Sequence, residues 1–229
     1  KGTEDDPYLI SSKKDLQVMR DLINDEASSS SFRECVYLQT TDIDLEDEKW
    51  IPIGKRTFDG IETSRLFAGH YNGNYHTISG LSVSETTKYA GLFGSIGIKP
   101  AIIENLAVEG TVSSTDISVG GICGEICGKN GIIRNCSFIG NVSGGEQAVG
   151  GVVGYIWQSG SVIDCYHNGT VISNGGRIIG GVVGNIHTGG SEDSNTVLIQ
   201  NCYHVGTLSG ASDAAGTIAG IVSVDTQHE

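Results

Sequence analysis

The chain has 229 residues, with 34 glycines, 3 prolines, 38% hydrophobic residues, and 14 basic against 27 acidic side chains for a net charge of −13. The length is ample for a buried core, the apolar share excludes a disordered chain, and glycine without a three-residue period excludes collagen. The charge makes nucleic acid and anionic membrane poor partners, and no run of 18 apolar residues is present for membrane insertion.

Residues 1–62 differ in kind from the rest, with 15 acidic and 8 basic side chains. Ser12 followed by Asp15 reads as a capping box. Leu16, Met19, Leu22 and Ile23 then recur at helical spacing, which predicts an amphipathic helix over 13–24. A polar loop, Ala27–Ser31, leads into strand-like runs at Val36–Leu38 and Ile43–Leu45. The acidic run Asp42, Asp44, Glu46, Asp47 and Glu48 lacks the glycine of a calcium loop. Its alternation with Ile43 and Leu45 fits a strand with one solvated face.

From about residue 78 the sequence copies itself. Ile103-Glu-Asn105-Leu106-Ala-Val108-Glu-Gly110 recurs from Ile133, Val162 and Ile199, with a degenerate first copy at Ile78-Ser-Gly80-Leu81-Ser-Val83. A second half-motif, Gly91-Leu92-Phe93-Gly94, recurs from Gly121, Gly151 and Gly181 at steps of 30. The next step, to Gly220, is 39, and the surplus falls in a Gly/Ser/Asp/Asn stretch, Gly189–Asn195, that reads as an inserted loop.

Apolar residues alternate with polar ones inside each unit, which is strand periodicity. A 30-residue unit of short strands bent at glycines, stacked on its own copies, predicts an all-β, right-handed parallel β-helix (β-solenoid). Residues 1–62 are expected to form an N-terminal cap, with the helix over the first coil, and 63–229 the solenoid, together one domain. Gly121, Gly151 and Gly181 are expected to stand where a side chain would strike the next coil or where φ is positive.

Several columns invite a chemical reading. Cys136, Cys165 and Cys202 share a position with Leu106, and Cys123 shares one with Val153 and Val183. A position that accepts Leu or Val is a core position, so these four cysteines read as core residues; with Cys127 aligned with Trp157 and Cys35 without a mate, all six read as buried free thiols and no metal or cofactor is implied. His167 and His204 take the place of Val83, Val108 and Phe138, again a core position. Tyr166 and Tyr203 lie beside them on the opposite face. With Trp157 they form a candidate aromatic strip for stacking sugar rings. Carboxylates such as Glu104, Glu125 and Asp164 are scattered through the repeat, and basic residues beyond 105 are few: Lys129, Arg134 and Arg177. Neither pattern points to a catalytic pair on a polysaccharide.

The repeat resembles the GLUG family of bacterial proteins, through Gly91-Leu92-Phe93-Gly94 and its copies. The lead-in segments Asp6-Pro7-Tyr8-Leu9-Ile10, Thr41-Asp42-Ile43-Asp44-Leu45, Trp50-Ile51-Pro52-Ile53-Gly54 and Phe67-Ala-Gly69-His-Tyr71-Asn72-Gly73 carry the same resemblance. Later copies depart to Gly-Ile-x-Gly or Gly-Val-x-Gly. The resemblance implies a non-catalytic extracellular or cell-surface module for adhesion, scaffolding or spacing, set among neighbouring modules of a larger chain. A host or environmental glycan or protein is the expected partner. A carbohydrate-binding module is the alternative, and a polysaccharide-degrading β-helix enzyme a further one.

Overall fold

A computed structural model describes residues 1–27, 30–57, 65–84, 88–175, 178–189, 195–210 and 213–223. Most of the expected inserted loop (190–194), part of the Ala27–Ser31 loop (28–29) and Arg177 lie outside them. The larger sheet stacks β1 (Tyr8–Ile10), β2 (Val36–Gln39), β4 (His70–Ser84), β7 (Ala101–Ser114), β9 (Cys123–Gly144), β11 (Val153–Ile163), β14 (Val183–His187) and β18 (Ala219–Ser223) as successive rungs. Alongside them run β3 (Ile43–Asp44), β6 (Phe93–Gly97), β12 (Tyr166–Ile172), β15 (Val197–Gln200) and β16 (Tyr203–Ser209). A second sheet stacks β5 (Tyr89–Ala90), β8 (Ser118–Gly120), β10 (Ala148–Gly150), β13 (Ile178–Gly180) and β17 (Ala214–Gly216). Pairing between rungs is parallel, as in Leu106↔Cys136, Val153↔Val183 and Ala148↔Ile178. The fold is a parallel β-solenoid with one α-helix.

The interior is a set of like-on-like columns. Ile103, Ile133 and Val162 stack, as do Val112, Val142 and Val171, and Ile96, Ile126, Ile156 and Ile186, all buried. Each such side chain contributes about 1.5–3 kcal/mol by leaving water. The helix α1 covers Lys13–Asn24 as expected and buries Leu16, Met19 and Ile23 in this same core. Its cap is reciprocal with a shift: the Asp15 amide donates to Ser12 Oγ at 3.2 Å, while Asp15 Oδ2 accepts from the Ser11 amide at 3.0 Å. In the acidic run Ile43 and Leu45 are buried and Asp42 and Asp44 exposed, until Glu46 and Asp47 turn the chain with φ of 61° and 54°. Lys13 bridges Glu46 and Glu48, both at 2.6 Å, and so ties helix to turn.

Two repeat alignments differ from the sequence expectation. In the first copy Ile78, not Val83, pairs with Val108, and Val83 pairs with Val112. The register shifts because Asn74, Tyr75 and Gly80 all take positive φ and place extra residues at the corners. In the last copy Gly216 pairs with Gly180, and Ala219 with Val183, so Gly220 sits opposite Gly184 rather than Gly181. The lengthened step therefore moves Gly180 to Gly216, and the degenerate half-motif begins three residues earlier than its glycine pattern indicates.

Glycine does two jobs. Gly140 has φ +145°, and a Cβ there would meet the Gly110 carbonyl oxygen at 1.8 Å. At Gly151 the constraint is space: a Cβ would lie 2.4 Å from His167 Cγ and 2.2 Å from the Gly181 carbonyl oxygen. Gly121 stands in the same relation to Phe138, and Gly181 to His204. The rings form a column of their own, Phe138 to His167 at 5.8 Å and His167 to His204 at 5.0 Å between centroids. His167 is wholly buried. Its Nε2 lies 3.0 Å from the Gly140 carbonyl, which only accepts, so Nε2 carries the proton. In the neutral ring Nδ1 is then the acceptor in the 3.0 Å contact with His204 Nδ1. Burial lowers the His167 pKa to about 4.

Two measurements test this packing. Gly151→Ala is expected to destabilise by about 3 kcal/mol in urea unfolding, as overpacking against backbone does; a change within about 0.5 kcal/mol contradicts it. His167 holds a proton in the unfolded chain below pH 6.5 but in the fold only below about 4. Its contribution is therefore present above pH 6.5 and lost as pH falls toward 4, by up to about 3 kcal/mol. His167→Phe, which copies Phe138, is expected to remove that part of the acid sensitivity; an unchanged pH profile contradicts the assignment.

Candidate functional site

The column Thr77, Ala107, Ser137, Tyr166, Tyr203 runs along one outer face of the solenoid. Tyr166 and Tyr203 stack with centroids 5.0 Å apart and planes 4° from parallel, because identical residues sit one coil apart in register. Tyr203 is exposed and Tyr166 half-buried. The small residues Ala107 and Ser137 leave a trough of about 150 Å³, closed at one end by Tyr166 and at the other by Tyr75. Tyr75 is 78% exposed, thrown outward by its left-handed backbone (φ 64°). Ser137, which interrupts the aromatic column in the sequence, is thus part of the trough's floor.

Asn105, Asn135, Asp164 and Asn201 all take φ near 50°, at the corner beside the trough. The short side chain of Asn or Asp tolerates that conformation. Asn135 Nδ2 donates to Asn105 Oδ1 at 2.7 Å, Asn105 Nδ2 to Asn72 Oδ1 at 3.2 Å, and Asn201 Nδ2 to Asp164 Oδ1 at 2.9 Å. Asp164 lacks the amide N–H that the Asn residues pass along the column to the next, so the ladder breaks in the trough lining. The break offers acceptor oxygens to a donor such as a hydroxyl. The fixed place of Asn in each copy was the signal for this ladder, and reading only the glycines passes over it.

Trp157 does not join the tyrosines. It lies on β11 against Arg56, whose guanidinium carbon is 4.7 Å from its ring centroid, in a separate groove of about 210 Å³ with Tyr89, Ile117, Gln147 and Tyr155. Arg56 comes from the N-terminal third and pairs with Glu125 on β9, a carboxylate with no exposure to water. Ser95 Oγ donates to Glu125 Oε2 at 3.2 Å. Burial pushes the Glu125 pKa up to about 7, against the opposing charge of Arg56. Ser95, Glu125, Tyr155 and Asn185 share one repeat position, so a lone acid in a polar column was the available sign.

Four of the six cysteines behave as core residues, while Cys35 and Cys202, the latter in the outermost described copy of its column, are only half-buried. All six are free, and Cys123, Cys127, Cys136 and Cys165 are buried. Cys136, Cys165 and Cys202 each direct Sγ toward a carbonyl of the preceding coil, at 3.7, 3.5 and 3.4 Å. Burial raises the Cys123 thiol and takes Cys127 up to about 12. Among the described residues no group of three or more His, Cys, Asp or Glu side chains is placed to hold a metal ion, and no helix is long and apolar enough to cross a membrane.

Residues 145–172 match the family model described as the GLUG motif. The matched stretch holds Gly151, Asp164 and Tyr166, and the in-register rungs on either side repeat its unit. One unit of the repeat, the one at 145–172, is thus similar to the GLUG motif. Over 125 residues the chain is 35% identical to Halomucin of Haloquadratum walsbyi (strain DSM 16790 / HBSQ001), covering 52% of this chain and 1% of that protein's length. A crystal structure from Bacteroides ovatus, named as a candidate immunoglobulin A1 protease, superposes with a TM-score of 0.61 at 17% identity, over 95% of this chain and 85% of that one. At that identity the likeness is one of fold.

Glu125 sets a pH test opposite in sign to that of His167. It titrates near 4.5 when unfolded and near 7 when folded, so its stabilising share is present below pH 4.5 and lost as pH rises through 7. Glu125→Gln is expected to gain stability relative to the parent chain between pH 5 and 8, by up to about 3 kcal/mol. A difference that does not change with pH over that range contradicts the shifted carboxyl.

Proposed function

We propose that the chain is a non-catalytic extracellular repeat module, a rigid spacer or adhesive face within a larger protein. The observation that supports this best is that nearly every repeated residue is spent on packing: the apolar columns, the glycines beneath the rings, and the cysteines at Leu and Val positions. The low reactivity expected of thiols with raised pKa values agrees with it. The GLUG motif and the similarity to Halomucin favour a surface repeat module over an enzyme. The protease name belongs to the Bacteroides ovatus protein, of which this chain reproduces the fold.

A second reading, glycan contact by the same module, is favoured by the trough between Tyr75 and Tyr166. Two rings flank a floor of small residues beside amide and carboxylate oxygens. Rings supply flat apolar area and the oxygens accept from hydroxyls, the combination a sugar needs.

Incubation with immunoglobulin A1 and with a broad polysaccharide panel is expected to leave both intact; release of a fragment overturns the non-catalytic reading. On a glycan array, binding that Tyr166→Ala abolishes, with the solenoid's circular dichroism unchanged, supports the second reading. Binding that Tyr75→Ala and Tyr166→Ala both leave untouched removes the trough from it.

A further inference from the structure

We propose that the groove around Arg56, Glu125 and Trp157 is a separate binding site for an acidic saccharide, a glycan whose sugars carry carboxylates. The groove runs along the solenoid axis. Tyr155 forms its floor, with the fully buried Glu125 on the rung before and Asn185 on the rung after in the same column, and its wall is the column Ile117, Gln147 on successive rungs. The cavity at Trp157 shares Arg56 and Tyr89 with a cavity of about 200 Å³ lined by Lys55 and Lys88. At the other end it shares Gln147 with one of about 470 Å³ that reaches Glu146, Ile178 and Asn185.

Four observations carry the assignment. First, the fold does not need charge at this position, since neighbouring coils carry Ser95, Tyr155 and Asn185 there. A buried ion pair contributes little net stability against apolar replacement, so packing alone gives no account of Arg56 and Glu125. Second, Arg56, Lys55 and Lys88 gather at one end of the groove in a chain of net charge −13. Third, Arg56 is held in place by Glu125 on one side and by Trp157 at 4.7 Å and Tyr89 at 6.0 Å on the others. Guanidinium has five N–H donors in a fixed fork that matches a carboxylate, and one nitrogen pairs with Glu125. Fourth, Asn185 Oδ1 is buried at the far end without a hydrogen-bond partner among the described residues, an acceptor suited to a hydroxyl.

A saccharide fits better than an acidic peptide. The groove crosses the strands, whose backbone groups are already paired between rungs, so no free strand edge is offered for a peptide to extend. Its lining combines a cation (Arg56), aromatic rings (Tyr89, Tyr155, Trp157) and an amide (Gln147), which suit carboxylate, pyranose face and hydroxyl respectively. This site shares no residue with the tyrosine trough, and its assignment stands whether or not the trough binds glycans.

The test is calorimetry and affinity electrophoresis with hexagalacturonate, its fully methyl-esterified form and poly-glutamate, in low and high salt. Binding of hexagalacturonate is expected, weakened by salt and at least about tenfold weaker for the neutral ester. Arg56→Gln and Trp157→Ala should each weaken it about tenfold or more, and Tyr166→Ala should leave it unchanged. Lys55→Gln with Lys88→Gln gives a surface variant that tests the same cationic end if Arg56→Gln does not fold. Absence of binding, equal affinity for the neutral ester, insensitivity to the Lys pair, or equal binding of poly-glutamate would overturn the proposal.

Discussion

The structure depends on one spatial constraint, the close approach of a glycine column to a ring column. At Gly121, Gly151 and Gly181 no room exists for a Cβ, because Phe138, His167 and His204 occupy it together with carbonyl oxygens of the next coil. The rings can stack at 5 to 6 Å only if consecutive coils are in register. Register in turn aligns every other column: the aliphatic interior, the thiols, the left-handed asparagines and the paired tyrosines. A one-residue slip of any rung would reverse its faces and place ring against backbone.

Much of this was legible beforehand, for a physical reason. A solenoid repeats its environment at each coil, so the sequence repeats too, and equivalence of position can be read as equivalence of burial. Cys136 in the place of Leu106 and His167 in the place of Phe138 were core residues on that ground, and both are buried. The helix over 13–24 was legible because its start has local chemistry and its face a period.

What was not legible arises where the repeat is broken or where distant segments meet. The first and last copies pair out of step with their glycine pattern because corner residues with positive φ, such as Tyr75, and the longer final step change register without changing composition. Arg56 belongs to the N-terminal third, and nothing in its neighbourhood along the chain shows that it reaches Glu125, 69 residues on. The scarcity of basic residues beyond 105 was therefore a poor guide to the groove's charge. Trp157 shares residue type with Tyr166 and Tyr203, but two corners with positive φ, at Gln158 and Asp164, separate it from them, and it lies in a different groove. The solenoid supplies columns, and departures from the repeat supply what is distinctive on the surface.

The most direct test of the register constraint is a double-mutant cycle between Gly151→Ala and His167→Ala, measured by chemical unfolding. If ring and glycine compete for one space, the cost of Gly151→Ala falls once the ring is gone, and the coupling energy exceeds about 0.5 kcal/mol. Additive costs, within about 0.3 kcal/mol, would contradict the account, because they would mean that the two columns do not share that space.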